Sequence, residues 1–593
     1  MTQLLRRSQF ITTYGPGAIL EGPDGPRVIR AFEQSGIFND RAPADLEITD
    51  LRLSQTLLNG AGIFRLPSNA ELGLVDSYAV YGTFAFPEWS LCVRHQILYR
   101  KTTSDNRACP QCPPLPSPQD AWRQARQQAI RFVQACGAGH LDDVDWLGLV
   151  HRGGPSNCTP AYLLWKGGGG ALRHITIACP TCKRDVRLGQ VYAQDLPCSG
   201  RFPEWNRDRP GCGEPARIIQ RGAANVRIPE IVTALTIPPR TTQLHRLLEL
   251  DRVQTLLISR SISTKQELLD ALQPLVKRRL LRQSIVDEIK TQSEQAVQAA
   301  IRDTISHDLP ANQHDLLLQE FNALRHAADH GSPPHPSATP GAPPQFEVIR
   351  EHVRTIDMRQ GLRLRVTPIN RLRVVMVQTG YRRMKPQNQF VRRAYDDGGR
   401  FWYPGVELFG EGIFIDLHID PISKTLASEG GASASWFTAW LDPERFGHSA
   451  RHEERYKLHP MFVWWHTLAH RLINALSVDS GYSSASVRER IFVDIDDDTG
   501  NASGGILLYT AQPGGDGTLG GTVALVPEFE RVLDTALRDI DSCSNDPLCD
   551  EERFGPSKYN GAACYACLLV SETSCEHRNM YLDRHVLLES LSA

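Results

Sequence analysis

The chain has 593 residues, of which 41% are hydrophobic and 22% charged, and its formal net charge is -2. This composition is typical of globular proteins and excludes a collagen-like or largely disordered chain. The length exceeds what one hydrophobic core can serve and predicts about three to five domains. The near-neutral charge excludes a global positive field, so any contact with nucleic acid needs a local basic patch.

The cysteines carry the principal functional signal in the sequence. All 14 fall in clusters, and in a reducing compartment Cys-x-x-Cys pairs more often bind metal than form disulfides. We expect a cytoplasmic protein, because no run of about 18 apolar residues occurs and the opening MTQLLRRSQFITT lacks the apolar stretch of a secretory signal.

The first part of the chain is predicted to contain a β-rich region, followed by a region that bound metal ions stabilise. Residues 1–80 mix short apolar runs with turn residues such as Gly15-Pro16-Gly17, which predicts a small β-rich region. Residues 81–225 are loop-rich and hold nine of the cysteines. Such a stretch needs metal in place of a large core, so we expect zinc-ribbon-like modules here.

The remaining chain is predicted to be helical and then mixed α/β, which makes the whole a multidomain α+β protein. Residues 226–330 are poor in Gly and place apolar residues at helical spacing, namely Ile285, Ile289, Val297 and Ile301. Residues 331–345 are rich in Pro and predict a linker. Residues 346–593 alternate strand-like stretches with a helical stretch near 462–477 and predict a mixed α/β domain that also holds the last cysteine cluster.

Two short pairs offer the ligands of a first zinc site. Two residues separate Cys92 from His95 and Cys109 from Cys112, and 13 residues separate the pairs. Two such knuckles bring nitrogen and sulfur ligands into the tetrahedral arrangement that structural zinc prefers. The alternative, in which Cys92 and His95 are ordinary strand residues, stays open.

A second zinc site is predicted from four thiols. Cys179-x2-Cys182 is followed by 15 residues to Cys198 and 13 more to Cys212. Four thiolates close the coordination shell, so the expected role is structural. Between the two sites lie four residues that could form a third, irregular site, although we favour buried thiols beside unrelated histidines: Cys136, His140, His151 and Cys158.

The last cluster offers five thiols for a metal ion that takes four. They are Cys543, Cys549, Cys564, Cys567 and Cys575. Cys564-x2-Cys567 forms a knuckle, Cys575 is close enough in sequence to complete a third corner, and Cys543 and Cys549 compete for the fourth. Together with the two sites above, this cluster predicts about three zinc ions per chain.

Two further motifs limit the chemistry that we expect. His466 and His470 fall on one helix face, as in zinc proteases, but Thr467 stands where the general-base Glu of HExxH would be. We therefore favour packing or hydrogen bonding for these histidines. No G-x-x-x-x-G-K-[ST] motif occurs, so we expect no ATP hydrolysis by this chain.

A basic stretch offers a local site for DNA. Residues 346–400 hold 13 Lys and Arg against five Asp and Glu, with aromatic residues between the cations. This pattern suits phosphate neutralisation and base stacking. The expected contacts are Arg382, Arg383, Lys385, Arg392 and Arg393. The alternative is a solvated strand face that pairs with acidic residues elsewhere.

Several long strings of this sequence carry a family resemblance. They are RRSQFITTYGPGA (6–18), FPEW (86–89), ACGAGHL (135–141), HTLAH (466–470), GYSSASVRER (481–490) and the closing cysteine cluster through Leu582-Asp583-Arg584. Together they resemble the DrmB family, the accessory subunits of the DISARM anti-phage defence system. The C-terminal half is also similar to the zinc-binding module of MrfA-type DNA-repair helicases. His95 is a departure, because the family is expected to carry a second Cys at this position, and it implies a mixed first site of three thiolates and one imidazole.

The resemblance implies a non-catalytic subunit that binds Zn²⁺, pairs with a separately encoded DrmA-like helicase and supports DNA binding or sensing. The missing P-loop agrees with that division of labour. One alternative is a metal-dependent nuclease whose carboxylates lie in Asp494-x-Asp496-Asp497-Asp498. Another is a scaffold without DNA contacts of its own. A self-standing repressor is disfavoured, because no helix-turn-helix is recognisable.

Overall fold

The computed structural model shows a mixed α/β protein of several modules, which confirms the predicted fold class. It describes residues 5–22, 25–32, 46–68, 71, 82–101, 109–112, 127–154, 158–167, 171–205, 211–238, 240, 242–305, 309–332, 345–358, 361–385, 388–392, 394–397, 400–419, 431–447, 452–479, 483–512 and 521–592. Among the described residues, none of the helices has the length and hydrophobicity of a transmembrane span.

The chain divides into two compact units, each assembled from three separate stretches. The first unit comprises Met1–Arg41, Phe64–Val232 and Val377–Gly405. The second unit comprises Ala42–Ile63, Thr233–Met376 and Val406–Ala593. The five consecutive segments drawn from the sequence stay a prediction, and residues 333–344 of the expected linker lie outside the described residues.

A small β-rich region begins the first unit, as predicted. Helix Arg7–Thr12 precedes an antiparallel sheet with the order Ile19–Gly22, Gly25–Ile29 and Thr83–Ala85. Gly17 lies in the turn between the helix and the sheet and has a φ of 86°. A side chain would be strained in this left-handed conformation, and a Cβ at Gly17 would meet the Arg383 and Glu204 side chains at 3.0 Å.

Two antiparallel sheets build the cysteine-rich part of the first unit. The six-stranded sheet has the order Asp185–Arg187, Thr176–Ala178, Leu163–Lys166, Ile97–Arg100, Trp89–Cys92 and Gln127–Ala129. The four-stranded sheet has the order Leu196–Cys198, Cys212–Gln220, Phe132–Cys136 and Leu141–Asp142. Helices Trp146–His151 and Leu188–Val191 pack with both sheets around one core, which contains Trp89, Phe132, Trp146, Ile177 and Leu188.

A helical region follows in the second unit, which confirms the expected helical middle. Its helices are Gln243–Leu248, Asp251–Ser259, Lys265–Lys277, Gln283–Thr291, Glu294–Ile305 and Gln313–His330. Thr264 caps the third of these by accepting a hydrogen bond from the Glu267 backbone N–H, as the capping-box pattern predicts. Ile289, Val297 and Ile301 are buried in the helical core, because their spacing places them on one face.

Long strands and a buried helix make up the C-terminal α/β part. The strands are Phe346–Val348, Arg354–Asp357, Arg363–Arg382, Arg400–Ile419, Val487–Ile495 and Ala502–Gln512. The helices are Gly431–Leu441, Pro460–Asp479, Phe529–Leu537 and Arg584–Ser592. Strand Val487–Ile495 pairs antiparallel with Ala502–Gln512. Helix Pro460–Asp479 packs against both strands, so its Trp464 and Trp465 have no exposed surface.

Candidate metal centres

The first predicted site comes together at the end of a strand. Cys92 closes strand Trp89–Cys92, His95 lies in the turn that follows, and Cys109 and Cys112 approach from a separate segment. His95 Nδ1 lies 3.6, 3.4 and 3.5 Å from the sulfur atoms of Cys92, Cys109 and Cys112. Tetrahedral ligands about 2.0–2.3 Å from zinc lie about 3.3–3.8 Å from one another, so the spacing fits this ion.

The second predicted site is wrong in its grouping. Cys179 and Cys182 lie at the turn between strands Thr176–Ala178 and Asp185–Arg187 of the six-stranded sheet. Cys198 and Cys212 face each other across two strands of the four-stranded sheet. The two pairs belong to different sheets. Each pair therefore forms a group of four potential ligands with two of the residues Cys136, His140, His151 and Cys158.

Cys198 and Cys212 form one group with Cys136 and His140. Strand Phe132–Cys136 pairs with strand Cys212–Gln220, which places Cys136 beside the two thiols. The Sγ atom of Cys136 lies 3.3 Å from Nδ1 of His140. Backbone N–H groups two residues further on donate to Cys198 and Cys212 at 3.4 Å each, as expected for thiolate acceptors in a knuckle.

Cys179 and Cys182 form another group with His151 and Cys158. His151 ends helix Trp146–His151, and its Nδ1–H donates a hydrogen bond to the Leu147 carbonyl oxygen at 2.8 Å. Its Nε2 is buried and has no hydrogen-bond partner among the described residues, so the lone pair is available to a metal ion. Burial alone would raise the pKa of the Cys179 thiol, but hydrogen bonds, foremost from the Cys182 N–H, lower it to about 6.

The closing cluster contains four thiols rather than five. Cys543, Cys549, Cys564 and Cys567 come together, with sulfur separations of 3.4 Å from Cys543 to Cys564, 3.8 Å from Cys549 to Cys567 and 3.7 Å within the knuckle. Cys575, which we expected to complete a corner, does not belong to this group. Its Sγ atom lies 3.3 Å from Nε2 of His466.

The spacing of Cys136 and His140 in the sequence does indicate a pair of metal ligands. Cys136-x3-His140 is a knuckle-like pair, and it could have been matched with Cys198 and Cys212 if the strand pairing had been known. Four groups of four Cys and His ligands result within the described residues, in place of the three expected. Each is a complete set of soft ligands, which suits zinc in a structural role.

The expected DNA patch is partly buried. Arg383 has no exposed surface, so it is not a surface cation, and this corrects the expectation for that residue. Arg382 pairs with Glu230 at 2.7 Å and is about one-fifth exposed. Lys385 and Arg392 are exposed. Arg393 lies outside the described residues.

Phe390, the aromatic residue between these cations, makes cation–π contacts within the chain. The guanidinium carbon atoms of Arg382 and Arg392 lie 5.3 and 5.5 Å from the centre of the Phe390 ring. Arg392 also donates a hydrogen bond to the Tyr403 hydroxyl at 3.1 Å. Among the described residues from 382 to 392, the exposed cations are therefore Lys385 and Arg392, and Arg382 is partly exposed.

The aspartate run of the nuclease alternative forms a hairpin turn. Asp496 accepts hydrogen bonds from the backbone N–H groups of Asp498 at 3.0 Å and Thr499 at 3.2 Å. These hydrogen bonds lower the pKa of Asp496. The turn joins strands Val487–Ile495 and Ala502–Gln512, and the Asp496 carboxylate stabilises the backbone within it.

Comparisons with known proteins bear on both halves of the chain. Residues 6–228 match a domain family of unknown function, DUF8724, and residues 468–568 match the MrfA Zn-binding domain. The chain is similar to the DISARM protein DrmB of Bacillus paralicheniformis, with 27% identity over 482 residues, which cover 78% of this chain and 81% of that protein. These findings confirm the two resemblances drawn from the sequence.

Proposed function

We propose that this chain is a non-catalytic accessory subunit of a DISARM-type anti-phage defence complex, in which it pairs with a DrmA-like helicase and supports DNA binding. One observation carries the proposal: the similarity to a DISARM protein extends over most of both chains.

Four zinc ions stabilise this subunit in the proposed role. The four Cys and His groups each offer a closed set of ligands, which leaves no coordination position for substrate or water. Zinc here links strands and turns of small modules and has no catalytic task. The match of residues 468–568 to a Zn-binding domain supports the same assignment for the closing cluster.

Catalysis belongs to the partner in this proposal. The sequence has no P-loop, so the energy for movement along DNA comes from a separately encoded helicase. The subunit adds positive charge at Lys385 and Arg392, and Arg393 is a further expected contact. It thereby extends the DNA-binding surface of the complex.

Co-expression with the DrmA-like helicase tests this function. We expect the two chains to co-purify, the complex to bind DNA more tightly than the helicase alone, and ATP hydrolysis to require the helicase. The subunit alone is incubated with Mg²⁺ and labelled single- and double-stranded DNA. DNA cleavage that is lost in an Asp496→Ala, Asp497→Ala variant would favour the nuclease, and failure to co-purify would contradict the pairing.

A further inference from the structure

A fifth group of potential ligands lies inside the second unit, apart from the four groups described above. It consists of His466, His470, Glu489 and Cys575, whose ligand atoms lie within 4.8 Å of one another. The two histidines are one turn apart on helix Pro460–Asp479, and Glu489 lies on strand Val487–Ile495, which packs against that helix. The first three side chains have no exposed surface, and Cys575 has 5%.

The four side chains point at a common centre. His466 Nε2 lies 2.8 Å from Glu489 Oε1 and 3.3 Å from the sulfur of Cys575. His470 Nε2 lies 3.3 Å from the other carboxylate oxygen. The two imidazole rings are perpendicular, with their centres 4.6 Å apart. Both Nε2 atoms therefore lie next to the same Glu489 carboxylate.

The outer nitrogen of each ring is bound to the backbone. His466 Nδ1 lies 3.3 Å from the Tyr581 carbonyl oxygen, and His470 Nδ1 lies 2.8 Å from that of Leu568. A carbonyl oxygen only accepts, so each Nδ1 carries a proton, and a neutral imidazole then has a bare Nε2. This is the arrangement in which metal-binding histidines are usually held.

The lone pairs of the two Nε2 atoms therefore face those of the Glu489 carboxylate at the centre of the group. Both Nε2 atoms and both oxygens of the Glu489 carboxylate are acceptors in that state, and burial excludes the water that would otherwise separate them. One divalent ion satisfies all four ligands and, with one carboxylate and one thiolate, gives a site without net charge.

The thiol of Cys575 is arranged like those of the knuckles. Its sulfur accepts hydrogen bonds from the backbone N–H groups of His577 at 3.3 Å and Asn579 at 3.2 Å. Cys198, Cys212 and Cys543 each accept from the backbone N–H two residues further on in the same way. Such bonds stabilise a thiolate, which is the form that binds metal.

We propose that His466, His470, Glu489 and Cys575 bind a fifth metal ion, a structural Zn²⁺ that joins the buried helix to the strand beside it and to the C-terminal segment. Two imidazoles and a thiolate are ligands that zinc prefers, whereas Mg²⁺ and Ca²⁺ require oxygen ligands. Four protein ligands close the shell, so the ion takes no substrate. His466 and Cys575 lie outside the matched range 468–568, so this site extends beyond that module.

Anomalous scattering at the zinc absorption edge, from crystals of the full metal-replete chain, tests the proposal directly. We expect a peak about 2.0–2.3 Å from both Nε2 atoms and the sulfur, in addition to peaks at the four Cys and His groups. Those four peaks are the internal control. Peaks at the four groups without one here would overturn the fifth site, whereas the reverse result would contradict only the zinc ions of the proposed function.

Metal content measured with matched variants provides a second test. Cys575→Ala should lose one zinc ion of five, while Cys575→His, which keeps a ligand, should retain five. His459→Gln is the control, because His459 is a buried histidine of the same region that bonds only backbone, namely the Gly500 carbonyl and the Met461 N–H. Four zinc ions in the parent and the same number in Cys575→Ala would overturn the proposal. The count in the parent is informative even if a variant fails to fold.

Discussion

Arg383 and Glu204 form an ion pair with 3.8 Å between Nη2 and Oε2, and neither side chain has exposed surface. The Arg383 guanidinium also donates hydrogen bonds to three backbone carbonyl groups, those of Gly17, Gly139 and Val226. Tyr381 donates its hydroxyl proton to the Glu204 carboxylate. Arg383 thus connects the N-terminal turn to the cysteine-rich part of the same unit.

Replacing Arg383 by Met should destabilise the protein by about 3–5 kcal/mol, because it removes one partner of a fully buried ion pair and the donor to three backbone carbonyl groups. Arg392→Met removes an exposed cation from the same segment and should change the free energy of unfolding by less than about 0.5 kcal/mol. Denaturant titration of both zinc-loaded variants measures the difference. Equal midpoints for the two variants would contradict the structural role of Arg383.

The grouping of the cysteines gives a second prediction. Cys179→Ser and Cys198→Ser should each lose one zinc ion, and the double variant should lose two, because the two residues lie in separate groups. Had the four thiols shared one site, as the sequence suggested, the double variant would lose no more zinc than either single variant. Metal analysis of the three variants beside the parent separates the two arrangements.

Sequence spacing located the ligand pairs that form a Cys-x2-Cys knuckle. Cys109 with Cys112 and Cys564 with Cys567 were identified because a knuckle is a local turn whose geometry depends on two intervening residues. Cys198 and Cys212 were joined to the wrong pair, because strand pairing with Phe132–Cys136 decides their neighbours. Which strands pair is a long-range property of the sheet that one sequence does not contain.

The contacts of Arg383 and Glu489 could not be predicted from the sequence for the same reason. A run of cations suggests a solvated surface, but the partner of Arg383 stands 179 residues earlier in the chain. The spacing of His466 and His470 correctly predicted one helix face, whereas the carboxylate and the thiol that meet them come from other elements. Local periodicity therefore predicted the helices and strands, and tertiary packing determined what their side chains contact.

DNA binding by the complex should depend on the exposed cations. Changing Lys385 and Arg392 to Ala should weaken DNA binding by the assembled subunit and helicase. The variant neutralises fewer phosphates, so binding releases fewer counterions. The slope of log K against log[salt] should become less negative by about 1.4–1.8 for two contacts. Fluorescence anisotropy at several salt concentrations measures both quantities.

Lys290→Ala is the control for this experiment, since Lys290 is half exposed and lies in the helical region. It should leave affinity and slope unchanged. If the Lys385 and Arg392 variant also bound DNA with the affinity and slope of the parent, the contacts would belong to the helicase. This chain would then be a scaffold within the complex.

The acid stability of the second unit should depend on His459. Burial lowers the pKa of this imidazole from 6.5 to about 4, although the hydrogen bond to the Gly500 carbonyl opposes the shift. The unfolded chain therefore binds a proton at a higher pH than the folded chain does. The stabilising contribution of neutral His459 is complete above pH 6.5 and is lost as the pH falls towards 4.

His459→Gln removes this titration and leaves the five groups of potential metal ligands in place, so acid release of zinc affects both proteins alike. The free energy of unfolding of the parent, relative to that of the variant, should fall by about 2 kcal/mol between pH 7 and pH 5. Denaturant titrations of both proteins across this range measure the change. A difference that stays constant with pH would show that His459 has the same proton affinity in the folded and unfolded chain.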